Sequence, residues 1–193
     1  HKVVADEIGI LSTENRVYLT NAKMSPDVLS ENFKKLPITA FANIPSVEFT
    51  GANIRGIFNE GNFAVNTITF SNPKIKFMFQ PDLKPKTDSI QKPQFSLKGF
   101  AAFTSNQIFI KNGSLELCNY KNLKSKTFGT TTVDLTISNF KVENDQKLFK
   151  TKYDNCSFTL KNSQFDFPDK IHKASIGKTF YQSSNGILKI TDF

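Results

Sequence analysis

Few residues in this chain could do chemistry, and their spacing decides little. Asp6 and Glu7 are adjacent carboxylates, and Asp166 and Asp169 form a second acidic pair. Paired carboxylates can divide acid and base roles in glycoside hydrolysis, but such pairs converge from separate strands. Adjacency in the chain is therefore a weak signal, and both pairs read as solvated acids. Cys118 and Cys156 are the only cysteines, and His172 is isolated. Two thiols without histidines close by do not make a four-ligand zinc site. They could pair as a disulfide in an oxidising compartment, or remain two free thiols. Cys156 shares parity with Phe158 and Leu160 and should point inward, whereas Cys118 falls off the Leu115/Leu117 parity. No nucleophile elbow, zincin helix, C-x-x-C or phosphate loop is present. The sequence reads as non-enzymatic, with no cofactor, no metal and no catalytic residue.

The elements that would position any site are β-strands. The chain has 20 Phe, 4 Tyr and no Trp. Phe and β-branched residues suit a pleated, half-buried surface. Alternating stretches run over 3–11, 16–23, 46–51, 62–70, 74–80, 107–111, 114–119, 130–143, 155–167, 175–181 and 186–191. Short helices are expected at Pro26–Lys35, where Pro26 opens the first turn, and at Ile54–Glu60. The Pro- and Lys-rich stretch Pro81–Pro93 reads as a flexible loop.

The formal charge is +8, yet only Arg16 and Arg55 are arginines. Nucleic-acid readers favour Arg for bidentate contacts, so nucleic acid is not an expected partner. Scattered Lys suits the solvated face of a sheet, with some attraction to anionic membrane surfaces. No run of apolar residues is long enough for a membrane-spanning helix. The abrupt start and finish read as a segment of a longer protein.

One phrase recurs: apolar, any, Asn, any, any, apolar. It is centred on Asn21, Asn72, Asn112, Asn139 and Asn162, with Ile190-Thr-Asp192 as a truncated cousin. Its apolar ends lie five residues apart, so in a regular strand they would face opposite sides. A bend or bulge at the Asn would return them to one side, and Asn tolerates the left-handed backbone such a bend needs. Asn112-Gly113 is in addition a hairpin signal, which would pair Ile110 with Leu115 across a tight turn.

Segments such as Ile68–Phe77 (ITFSNPKIKF), Ile108–Leu117 (IFIKNGSLEL) and Leu135–Val142 (LTISNFKV) resemble the AsmA family, with its TamB-like, repeating β-groove envelope proteins. The likeness runs from Val3 to Phe193 and rests on strand and bend rhythm. It implies a periplasmic or cell-envelope protein of a Gram-negative bacterium. It also implies a membrane anchor elsewhere in a longer chain, and a role in lipid transport or outer-membrane homeostasis. The expected fold is a single all-β domain over residues 1–193. It would be an elongated, strongly curved, mainly antiparallel sheet, like a groove or half-barrel, with one or two short helices. Lipid acyl chains or a membrane surface would be its partners, met by Phe70, Phe77, Phe79, Leu135, Ile137, Phe158 and Leu160. A β-sandwich serving as an interaction or adhesion module is the alternative, with the same Phe residues closed into a core.

Overall fold

The structure is a computed structural model, and it describes residues 2–26, 36–53, 56, 62–80, 102–121, 124–145, 148–169 and 171–192. The expected helices, apart from Pro26 and Gly56, and the expected loop Pro81–Pro93 lie outside these residues. The described residues form twelve strands: β1 (Lys2–Val4), β2 (Glu7–Leu11), β3 (Arg16–Ser25), β4 (Ile38–Thr50), β5 (Asn62–Ser71), β6 (Lys74–Phe79), β7 (Ala102–Lys121), β8 (Lys124–Asp145), β9 (Leu148–Lys152), β10 (Asn155–Asp166), β11 (Lys173–Gln182) and β12 (Ile187–Thr191). All belong to one strongly curved sheet, in the order β1-β3-β4-β5-β7-β8-β10-β11-β12. β2 continues the β1 edge against β3, β6 continues β5 between β4 and β7, and β9 pairs with β8. The fold is all-β, and no second sheet packs on the first among the described residues. In the described residues the strands form the curved sheet and not two packed sheets.

The sheet is mixed. β5 and β6 run parallel to β7, and the other pairings are antiparallel. Two strands are far longer than the usual five or six residues: β7 has 20 residues and β8 has 22. The hairpin expected at Asn112-Gly113 does not form. β7 continues through it with a bulge, with β6 on one side and β8 on the other. Only Asn112 has positive φ (52°), and a type I′ turn needs both central residues there. Gly113 is required for room instead: a Cβ there would lie 2.9 Å from Ile110 Cγ2 and 3.0 Å from Val133 Cγ1.

Asn15, Asn21, Asn72, Asn112, Asn139 and Asn162 all adopt the left-handed region, with φ between 49° and 53°, and Asp192 joins them at 58°. Elsewhere this costs an L-residue about 1–2 kcal/mol, and Asn is among the few that visit it readily. These residues are in register across strands. Asn21 lies between Asp6 and Pro45, Pro45 opposite Asn72, and Asn72 beside Asn112. The line continues through Asp134, whose Oδ1 accepts the Asn112 N–H at 2.8 Å. A neighbouring line carries Asn162, Gly177 and Asp192. Another, six residues away along β3, β5 and β7, joins Asn15, Gly51 (φ 62°), Asn66, Asn106, Asn139 and Asp154. Each line is a crease. Pro45 can sit in the middle of an inner strand because it falls on one, where the ladder is already interrupted.

The residue after the hinge packs inside the bend and is usually small. Ala22, Ala52, Pro73, Gly113 and Ser163 are all buried. Gly113 lies on the side of Ile110, three residues earlier, whereas a regular strand would place the two on opposite sides. The phase change therefore returns Leu115 and Leu117 to the face of Ile108 and Ile110. The core cluster is Ala22, Val47, Ala52, Val65 and Ile68, with Phe49, Phe63, Phe70, Phe103 and Ile108 against it.

Candidate functional site

Residues opposite one another on neighbouring strands share a face, so the register defines what the inner surface presents. One rung crosses nine strands: Ile8, Leu19, Val47, Phe70, Ile110, Leu135, Phe158, Tyr181 and Leu188. The next is Ile10, Val17, Phe49, Ile68, Ile108, Ile137 and Cys156. Beyond the crease, Ala42, Ile75 and Leu115 form a rung, followed by Ala40, Phe77, Leu117, Gly129, Phe165 and Ala174. An apolar face thus runs across the sheet and is carried over its creases. It is uncovered over much of its extent: Phe70, Phe77, Phe79, Leu135, Ile137, Phe158 and Leu160 are all half-buried.

These seven residues lie on the one face, in two groups. Phe70, Leu135, Ile137, Phe158 and Leu160 stand on one side of the crease, and Phe77 and Phe79 on the other. Phe79 packs against Phe128 at 5.7 Å between ring centroids. Phe128 also lines a cleft of about 610 Å³ with Phe165, Phe167, Pro168, Ala174 and Ile176. A second cleft, about 570 Å³, lies mainly on the opposite face of the sheet, lined by Lys2, Lys23, Phe41, Asn43, Lys74 and Lys76. Sequence reasoning missed Ile8, Leu19, Val47, Ile68, Ile108 and Ile110 as members of the face. Their alternation was visible, but which face they share depends on register.

The polar groups are taken up by the creases and by surface pairs. Asn21 Nδ2 donates to Asp6 Oδ2 at 2.9 Å, and Asn139 Nδ2 donates to Asp154 Oδ2 at 2.6 Å. Lys161 Nζ donates to Asp134 Oδ2 at 2.7 Å. That bond and the Asn112 N–H hold the Asp134 carboxyl below the usual carboxylate range. Where β8 and β10 shift register, the buried hydroxyls of Thr131 and Ser163 meet at 2.8 Å, and Thr131 also bonds the Lys161 carbonyl. Both are satisfied, as buried polar groups need to be.

The acids singled out as possible chemistry do not converge. Asp6 serves Asn21 and Glu7 accepts the Tyr18 hydroxyl at 3.0 Å. Asp166 pairs with Lys173, and Asp169 with His172. The cysteines are both free, and Cys156 stands on the inner face in the rung of Ile137, as its parity predicts. Cys118 is fully buried and Cys156 half-buried. Cys118 lies beside Met78 on the face opposite Leu115 and Leu117, as its parity predicts, and is buried there. Cys118 Sγ lies by Glu116 and Thr127, whose hydroxyl donates to Glu116 Oε1 and lowers that carboxyl's pKa. Among the described residues no cluster of His, Cys, Asp and Glu could hold a metal ion, and no helix is long and apolar enough to cross a membrane.

No protein-family model matches the chain, and no curated protein matches it.

Proposed function

We propose that the inner face of the sheet carries lipid acyl chains, as a non-catalytic surface. In the setting that the AsmA resemblance implies, this is a lipid-transport or membrane-homeostasis role in a Gram-negative envelope. The carrying observation is the width and incompleteness of the apolar face. The Ile8-to-Leu188 rung crosses nine strands, and no second layer of strands seals it among the described residues. A broad apolar surface of this kind marks an interaction site.

Magnitudes favour passage over storage. About ten methylenes, each regaining half of roughly 0.8 kcal/mol, give about 4 kcal/mol, a Kd near the millimolar range. An acyl chain is then held by area and released readily.

Native mass spectrometry of the purified protein, with extraction and analysis of bound lipid, tests the proposal. A fluorescent fatty acid should bind and be displaced by phospholipid, and Phe158→Ser with Leu135→Ser should weaken it several-fold. A lipid-free protein that also leaves the probe in solution ends the reading.

A further inference from the structure

Among the described residues the sheet ends in two unpaired edges, and they match each other. One edge is β1 with β2, and the other is β12, with the short β9 against β8 on the same side. Edge strands in natural proteins are commonly blunted with charge, Pro or bulges. Here the edges also expose apolar residues: Ile8 is 66% exposed and Ile10 53%, and at the other edge Leu188 is 60% and Ile190 45%. Both pairs lie on the inner face, Ile8 and Ile10 opposite Leu19 and Val17, and Leu188 opposite Tyr181.

We infer that β12 of one molecule pairs antiparallel with β2 of a second copy, so that the sheet continues from chain to chain. Three independent features agree. The first is direction. β2 runs antiparallel to β3, and following the pairings across the sheet makes β12 antiparallel to β2. Copies placed head to tail therefore keep the antiparallel order. The second is register. A crease reaches each edge, at Asp6 beside Asn21 and at Asp192 beside Gly177. Aligning the creases sets Asp192 opposite Asp6. That one choice puts Ile190 opposite Ile8 and Leu188 opposite Ile10, both on the inner face. The third is charge. On the outer face the same register sets Lys189 diagonal to Glu7, within reach of a cross-strand pair. The two aspartates are each turned onto their own sheet: Asp6 accepts from Asn21, and Asp192 lies over Gly177. A head-to-tail contact of this kind is heterologous, so it extends or closes a ring and is not limited to two copies. The inference does not depend on lipid binding.

Disulfide trapping tests it. Glu7→Cys with Thr191→Cys, in a Cys156→Ser background, places thiols opposite each other in the inferred register. Mild oxidation should give covalent dimers and longer oligomers. The pair Glu7→Cys with Lys189→Cys, two residues out of step, should cross-link at least about tenfold less. Sedimentation velocity of the unsubstituted chain is the second measurement. It should show concentration-dependent association that Ile190→Lys weakens by about tenfold or more. Equal cross-linking of the two pairs, a disulfide formed only within one chain, or a monomer at every concentration would overturn it.

Discussion

β3–β5 and β10–β12 are built from the same strand-and-hinge phrase, yet they bury very different amounts. β3, β4 and β5 contribute Ala22, Val47, Val65 and Ile68 to the buried core. In β10–β12 the only buried residue is Ser163. Position does not explain this, because β3 and β11 are each second from an edge. The difference lies in how the aromatic side chains of neighbouring strands pack on the sheet. Beside β5, the rings of Phe49, Phe63, Phe103 and Phe140 form a chain with centroids 5.6 to 6.1 Å apart. Beside β11 there is one stacked pair, Phe158 with Tyr181 at 5.2 Å. Hinges set the shape in both regions, whereas aromatic packing fixes local stability in one.

The largest expected effect measures that contrast directly. Ile68→Ala should cost about 2–4 kcal/mol in urea unfolding, as a buried Ile does. Leu188→Ala should stay within about 0.5 kcal/mol, as an exposed site does. Hydrogen exchange should open β11 and β12 well before β3–β5, and similar losses or uniform protection would break the comparison. Next come the hinges, which should behave alike in both regions. Asn72→Ala and Asn162→Ala should each cost about 1–2 kcal/mol, while the Gly variants should lose only tenths. A hinge that accepts Ala without loss is not held by backbone conformation. The smallest effect is at Asp134, which ties Asn112 of the packed half to Lys161 of the open half. Its folded pKa is depressed, so its contribution is present above the unfolded value near 4 and lost as pH falls through the folded value. Its side chain is 35% exposed, which holds the contribution below about 1 kcal/mol. Asp134→Asn should flatten the acid limb of stability measured between neutral pH and pH 3, and an unchanged limb would remove Asp134 from the account.

The hinges were legible because one local rule makes them. Five apolar-to-apolar residues across an Asn demand a phase change, and φ at Asn21, Asn72, Asn112, Asn139, Asn162 and Asp192 supplies it. Asn15 and Gly51 do the same work outside that phrase. The first half of β4 was hidden by Pro45, whose tolerance depends on two neighbouring strands. β9 was missed altogether, since Leu148–Lys152 is short and flanked by charge. The Asn112-Gly113 error has the same root: a dipeptide cannot reveal strands on both sides of it. Parallel pairing of β5 with β7 is likewise a long-range fact. The apolar composition of the candidate face could be read from the sequence, but its continuity across nine strands could not.

Collinear hinges also govern how such a chain can change length. Inserting one residue between Asn106 and Asn112 would push a bend off the line shared with Asn72 and reverse every side chain beyond it. Panels between creases are therefore fixed in width, like the leaves of a folding screen. Growth is open only at the loops, or by adding whole leaves at an edge.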